Sequence, residues 1–353
     1  MIHGIQHIGI GVVDFEKSWD FYKSVLHFNV PLSRDRSVAA RMGSLTNGVH
    51  ERQVVIALNL LGGGLVEVFK FTSKDPAASP PLTWHRPGLL SFALKVIDMQ
   101  AAHEELRAAG VQVLAPPSAM TATDEQDWQQ MFFEDPEGNI LSLVQAPQTS
   151  FSLRRKGANI GGILFPTIGV TDMTRSLPFY RDILGYSETI YDWQGQDSKL
   201  AAIPGADGAL RRVLLSRNQE STSLFRFYLD GGMIELIETD ATDQRHLYAD
   251  RGWGDQGIME LCFDVNRIQD TYQDLLDKGA PPVIAPEDED FDMGGGSAGL
   301  FAYVHDPDGT WIELAEIISF NIFLGLKFDL RKRSSNRPLP AMLLKLLRFA
   351  SSS

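Results

Sequence analysis

Apolar runs and amphipathic segments alternate along this chain in a pattern that returns four times. "IQHIGIGVVDFEKSWDFYKSVLHF" opens as an apolar strand, passes Asp14 at a helix start, and continues as a helix carrying an adjacent Phe and Tyr. It reappears in outline as "ILFPTIGVTDMTRSLPFYRDILGY", in register at the IGV of Ile10 and Ile168. A second pair, "GLLSFALKVIDMQAAHEELRAAG" and "GIMELCFDVNRIQDTYQDLLDKG", reads as strand, helix and glycine stop. Each unit runs on into further strands ending in a hairpin. In the first and third units that hairpin is glycine-rich (Gly62 to Gly64; Asp230, Gly231, Gly232); in the second and fourth it is "DPEG" and "DPDG".

The expected fold class is therefore α+β: four tandem βαβββ modules, a duplication of a two-module half. One module cannot cover both faces of its sheet, so two must join into a curved, partly closed barrel whose inward side chains share a concave face. The expected boundaries are a first half at 1–147 (modules at about 1–74 and 86–147), a linker at 148–160, and a second half at 161–318 (modules at about 161–240 and 255–318). A basic C-terminal tail follows at 319–353. The linker rests on the polar, proline and glycine content of "APQTSFSLRRKGANIGG".

One position breaks the apolar pattern. In "GGGLVEVFKF" strand alternation puts Leu65, Glu67 and Phe69 on one face and Val66 and Val68 on the other, so neither face is wet. A buried carboxylate without a partner costs several kcal/mol or takes up a proton, so Glu67 calls for a cation, a hydrogen-bond network or a metal.

Composition narrows the class. The 353 residues are 44% hydrophobic and 22% charged, as in a soluble globular protein of two ordinary domains. The net charge of −13 argues against general nucleic-acid binding. Neither a signal peptide nor an integral membrane segment is expected, and the single Cys262 is read as core, which suits a reducing compartment; the expected location is cytoplasmic. From Ser319 onward seven basic residues stand against Asp329 alone, which reads as a tail packed on an acidic body, with membrane-surface attachment through "AMLLKLLRFA" as the alternative.

The repeated module, the IGV-x-D helix entry, "FYKSVLHF" and "FYRDILGY", and the DP-acid-G hairpin followed by "TWIELAEI" resemble the vicinal oxygen chelate superfamily of glyoxalase I, bleomycin-resistance proteins and extradiol dioxygenases. The resemblance runs from Ile5 to about Ile317. It implies metal ligands at the middle of the first and last strand of each module. Those positions are His7 and Glu67, Ser91 and Ser142, Phe165 and Glu235, and Glu260 and Glu313. If neighbouring modules pair, one cavity holds His7, Glu67 and two serines, and the other Phe165 and three glutamates. If the first pairs with the fourth, as resembles the fused glyoxalase I enzymes, His7, Glu67, Glu260 and Glu313 fall together and the second cavity keeps only Glu235.

The crossed arrangement implies one divalent metal (Mn, Fe, Co, Ni, Zn or Mg) on His7, Glu67, Glu260 and Glu313, an oxygen-rich set unsuited to thiolate-loving ions. Glu260 departs from the family's histidine at that position. The implied activity is a lyase or isomerase on a small substrate that chelates the metal through vicinal oxygens, with Glu313, Glu67 or Glu260 moving the proton. A metal-free small-molecule-binding protein is the alternative from another class. An Fe(II) extradiol dioxygenase would need two histidines where Phe165 and Glu260 stand. Monomer and homodimer both remain open.

Other features are read more plainly. His305 and Glu134 precede their turns at strand ends, and His85 and Arg86 in "TWHRPG" fall in a connection. The acidic, glycine-hinged "APEDEDFDMGGGSAG" is either a lid over the cavity or a solvated loop.

Overall fold

The computed structural model describes residues 1–123, 127–147, 149–154, 157–217, 221, 223–229, 231–240, 245–294, 297–322, 326–330, 339–340 and 345. The first module supplies β1 (Ile2–Gly11), β2 (Val30–Val38), β3 (Glu51–Leu58) and β4 (Leu65–Phe71). The second supplies β5 (Gly88–Val96), β6 (Val113–Ala119), β7 (Gln129–Glu134) and β8 (Ile140–Gln145). The third supplies β9 (Ile160–Gly169), β10 (Glu188–Gly195), β11 (Leu210–Ser216) and β12 (Met233–Thr239). The fourth supplies β13 (Gly257–Val265), β14 (Pro282–Ile284), β15 (Phe291–Gly294), β16 (Ser297–His305) and β17 (Trp311–Ile322), after which β18 (Leu326–Asp329) folds back on β17. The sheet thus continues past Ser319, where the tail was expected to begin. The stretch "AMLLKLLRFA" lies outside the described residues except Lys345, whose ammonium stands 5.8 Å over the Phe227 ring.

Within each module the first strand runs parallel to the last, which carries an antiparallel meander beside it. The modules join in the crossed sense. One sheet runs β14-β16-β17-β13-β1-β4-β3-β2 and unites the fourth with the first; the other runs β10-β11-β12-β9-β5-β8-β7-β6 and unites the third with the second. The seams are antiparallel, with Gly9 opposite Glu260 and His7 opposite Cys262 in one, and Thr167 opposite Ser91 in the other. Every residue of β1, β5, β9 and β13 is buried, because these central strands have the module helices on one face and the barrel interior on the other.

The recurring motifs have structural reasons. Gly62 to Gly64 abut β9, where Gly64 and Ile163 exchange backbone hydrogen bonds of 2.8 and 2.9 Å; a Cβ on Gly63 would stand 2.6 Å from Gly162 C, so only glycine permits the approach. The acidic hairpins hold the helix of the preceding module. Tyr22 Oη donates to Asp135 and Tyr180 Oη to Asp306, both at 2.7 Å. Glu137 accepts from the Val13 and Asp14 N–H groups at 3.1 Å, and Asp308 from that of Thr171 at 3.0 Å, placing negative charge at helix N-termini. Burial pushes Asp306 up to about 6, against the hydrogen bond from Tyr180. Among the described residues no helix is long and apolar enough to cross a membrane.

Candidate metal centre

In the β1–β13 seam the four expected residues converge. His7 comes from β1, Glu67 from β4, Glu260 from β13 and Glu313 from β17, and one ligand atom of each lies within 4.8 Å of the others. All are buried: Glu260 is 0% exposed, His7 1%, Glu67 7% and Glu313 8%. The strand register brings them there, since Gly9 pairs with both Glu67 and Glu260 while Cys262 pairs with both His7 and Glu313. Gly9 makes the room: a Cβ there would lie 2.4 Å from Glu260 Oε1.

His7 Nδ1 lies 3.2 Å from Gln6 Oε1, and the natural reading is an Nδ1–H donating to that amide oxygen, which turns the Nε2 lone pair toward the carboxylates. Nε2 lies 2.9 Å from Glu67 Oε2 and 3.2 Å from Glu313 Oε2, yet it makes no hydrogen bond of proper angle. A lone pair facing two carboxylate oxygens needs a proton or a metal between them. Glu260 Oε2 accepts from Trp253 Nε1 at 2.6 Å and from the Tyr303 hydroxyl, while its Oε1 is buried without a partner, as is Glu313 Oε2. The residues would fit a divalent cation: one imidazole and three carboxylates converge, with His7 Nε2, Glu260 Oε1 and Glu313 Oε2 lacking hydrogen-bond partners.

Metal-free, the cluster holds its charge with protons. Burial opposes a charge on His7, but the Cys262 sulfur and the Glu313 and Glu67 carboxylates more than reverse this and keep the imidazole well above its usual value. Burial and the charges of Glu313 and Glu67 push Glu260 well above the carboxylate range. Burial would raise Glu67 as well, yet hydrogen bonding and charge from His7, with the charge of Arg52, bring it below its usual value. Cys262, read as core, is buried; its sulfur stands close to His7 and Glu313, and burial with the Glu313 charge keeps it a protonated thiol.

A cleft opens onto the centre, and Glu67, His7 and Glu313 line it. Several residues here carried no signal in the repeat. Arg52 NH1 stands 3.5 Å from Glu67 Oε1, and Trp253 stacks on Phe69 with centroids 4.2 Å apart. Arg52, Val54 and Ile56 alternate on β3, and Ile56 pairs with Glu67, so strand parity could have placed Arg52 on the cavity face. Of the acidic loop, Phe291–Gly294 forms β15 on β16, and Phe291 and Met293 line the cleft. Arg41 ties this segment down, bonding Glu287 at 2.9 Å and lying 4.1 Å over the Phe301 ring. His305 and Glu134 end β16 and β7, away from the cluster.

The second sheet repeats the register with different residues. Phe165, Glu235, Ser91 and Ser142 take the places of His7, Glu67, Glu260 and Glu313. Glu235 is 0% exposed and fully engaged. Arg212 reaches its Oε1 through Nε at 2.8 Å and NH2 at 2.6 Å, Tyr191 Oη donates to the same oxygen at 2.6 Å, and Thr167 Oγ1 donates to Oε2 at 2.8 Å. Arg212 NH2 also donates to Gln130 Oε1 at 3.2 Å. By register the position of Arg212 on β11 corresponds to Val54 on β3, so the first cavity has only the more distant Arg52.

The Glyoxalase/Bleomycin resistance protein/Dioxygenase superfamily model matches residues 4–143 and again 162–314. The chain belongs to that superfamily. No curated protein matches the sequence significantly. Among solved structures, glyoxalase I from Zea mays is 16% identical with a TM-score of 0.56, covering 89% of this chain and 92% of its own. A Bacillus subtilis subsp. subtilis str. 168 protein provisionally named a dioxygenase is 14% identical with a TM-score of 0.54, covering 89% and 85%. At such identity these superfamily structures share the fold, and the chemistry must be argued from the cluster itself.

Proposed function

We propose that this chain is a metal-dependent lyase or isomerase acting on a small substrate with vicinal oxygens, its divalent cation held by His7, Glu67, Glu260 and Glu313. One observation carries the reading: among the described residues, His7 Nε2, Glu260 Oε1 and Glu313 Oε2 are buried without a hydrogen bond beside a cleft, while in the equivalent seam Glu235 is engaged by Arg212. A cation bound there would polarise a substrate carbonyl, acidify the adjacent C–H and balance the charge that forms. The residues divide the remaining work. Glu260 is fully buried and held through one oxygen by Trp253 and Tyr303, which suits a fixed ligand. Glu67 is tied to His7 and Arg52, and its depressed pKa makes it a weak base. Glu313 lines the cleft with its Oε2 3.2 Å from His7 Nε2 and without a hydrogen bond, a position from which a carboxylate can take a proton from a bound carbon acid and return it to the neighbouring carbon. Phe291, Phe301 and Leu300 line the cleft and limit water around the reacting atoms.

The test is elemental analysis of wild type beside Glu67→Ala, Glu313→Ala and Ser142→Ala, followed by deuterium wash-in to α-hydroxycarbonyl compounds in D2O. About one metal per chain is expected, lost in the two glutamate variants and kept in the serine variant, with wash-in abolished by Glu313→Gln. Wild type that holds no metal after loading with each candidate ion would sink the reading and favour a metal-free binding protein.

A further inference from the structure

A second, apolar chamber lies on the same concave face as the metal cluster, and among the described residues no charged side chain lines it. Ile56 and Met293 belong to both chambers and form a common wall. Strand parity shows how they connect. On β4 Glu67 faces the cleft, and Leu65, two residues earlier on the same face, lines the second chamber; on β17 the same relation holds between Glu313 and Ile317. At about 3.3 Å per residue the chamber begins roughly 7–13 Å from the ligands. Its far side is closed by Phe225, Tyr228 and Leu229, contributed by the connection between β11 and β12 of the other sheet.

We propose that this chamber receives the apolar tail of the substrate, so that the enzyme takes amphipathic molecules: a chelating pair of oxygens at the metal joined to an uncharged alkyl or arylalkyl body. The inference rests on the metal reading above and names its substrate class. The occupant follows from continuity. Anything seated on His7, Glu67 and Glu313 and longer than the cleft runs along β4 and β17 past Ile56 and Met293 into a volume that offers an ionic group no partner. Met293 is suited to the passage, because an unbranched thioether side chain adapts its shape at little cost.

The test uses hydroxamic acids, which present vicinal oxygens on tails of any length. Binding of acetohydroxamate and heptanohydroxamate to the metal-loaded protein is measured by calorimetry in wild type, Leu229→Trp and Ile317→Trp, with metal content confirming that each variant folds. Each methylene moved from water into an apolar chamber tightens binding about fourfold, so the longer acid is expected to bind at least about a hundredfold tighter. Either tryptophan fills the chamber and cuts that ratio below about fivefold. A ratio near one in wild type, or a ratio that survives both tryptophans, overturns the tail chamber while leaving the metal reading intact. Failure of acetohydroxamate to bind at all sinks the metal reading and this inference with it.

Discussion

The ion pair of the second cavity makes a sharp energetic prediction. Glu235→Ala removes the carboxylate that accepts from Arg212, Tyr191 and Thr167, leaving a guanidinium 1% exposed that keeps its hydrogen bond to Gln130. Breaking a buried pair by deleting one partner costs roughly 3–5 kcal/mol, because the surviving charge is stranded. The two orphaned hydroxyls add about 1 kcal/mol or more between them, so the whole loss is on the order of 4–6 kcal/mol. The double variant Arg212→Met with Glu235→Leu strands no charge and keeps the cavity filled. Apolar replacement of a buried pair is often close to neutral, so only the same hydroxyl penalty of about 1 kcal/mol or more remains. The double variant should therefore be more stable than Glu235→Ala by roughly the 3–5 kcal/mol of the stranded charge. Urea unfolding followed by tryptophan fluorescence measures this. A double variant no more stable than the single one, or a single variant within about 1 kcal/mol of wild type, would refute the view that this cavity is held by one coupled pair.

Three further outcomes follow from the first sheet. Gly9→Ala should weaken metal binding at least about tenfold, since a Cβ 2.4 Å from Glu260 Oε1 forces that ligand aside, and full metal retention on dialysis would count against the site. Metal affinity should rise with pH: burial raises Glu260, and the neighbouring sulfur and carboxylates raise His7, so the metal-free site carries protons that the cation must displace. Competition with a chromophoric chelator between pH 5.5 and 8 reads this, and a flat profile would contradict it. Burial pushes Asp264 up to about 7 although Ser223 and Gln6 pull it down, so the folded state holds its proton above the unfolded pKa of 3.8. That contribution is complete below the unfolded value and lost as pH rises through 7; Asp264→Asn should accordingly stabilise at pH 8 by on the order of 4 kcal/mol and by little at pH 4, as urea midpoints at the two pH values would show.

Legibility in the sequence followed the range of the interaction. The four candidate ligand positions were readable because the resemblance points to the middle of the first and last strand of each module, and the IGV repeat fixes the register between halves. The crossed pairing was readable only indirectly, from how it sorts ionisable residues, because nothing in one strand says which distant strand will lie beside it. Arg212 shows where such reading stops. It adjoins Arg211, yet Arg211 is bound to the partly exposed Asp192 while Arg212 is fully buried against Glu235. Only the pairing of Leu214 with Glu235 decides which of the two arginines turns inward. Trp253 and Tyr303 reach Glu260 from a connection and from a strand of the meander, and no local pattern marks either. The acidic stretch is polar and glycine-hinged like a free loop, and it gains strand structure only because β16 offers an edge.

The duplication solved one electrostatic problem in two ways, and the difference bears on function. Both seams bury a glutamate on the last strand of an odd-numbered module. In the second sheet the answering charge is Arg212, covalently part of the chain, always cationic and already engaged with Glu235 and Gln130. A guanidinium has no open position to offer a ligand, so that seam is structural. In the first sheet three carboxylates face His7 and the more distant Arg52, an excess of negative charge that the protein leaves to exchangeable partners. Protons fill that role in isolation. A divalent cation bound there would fill it, and because His7, Glu67 and Glu313 line the cleft, substrate oxygens could reach it. Losing the internal cation is thus what would turn a buried seam into a site where substrate oxygens can enter.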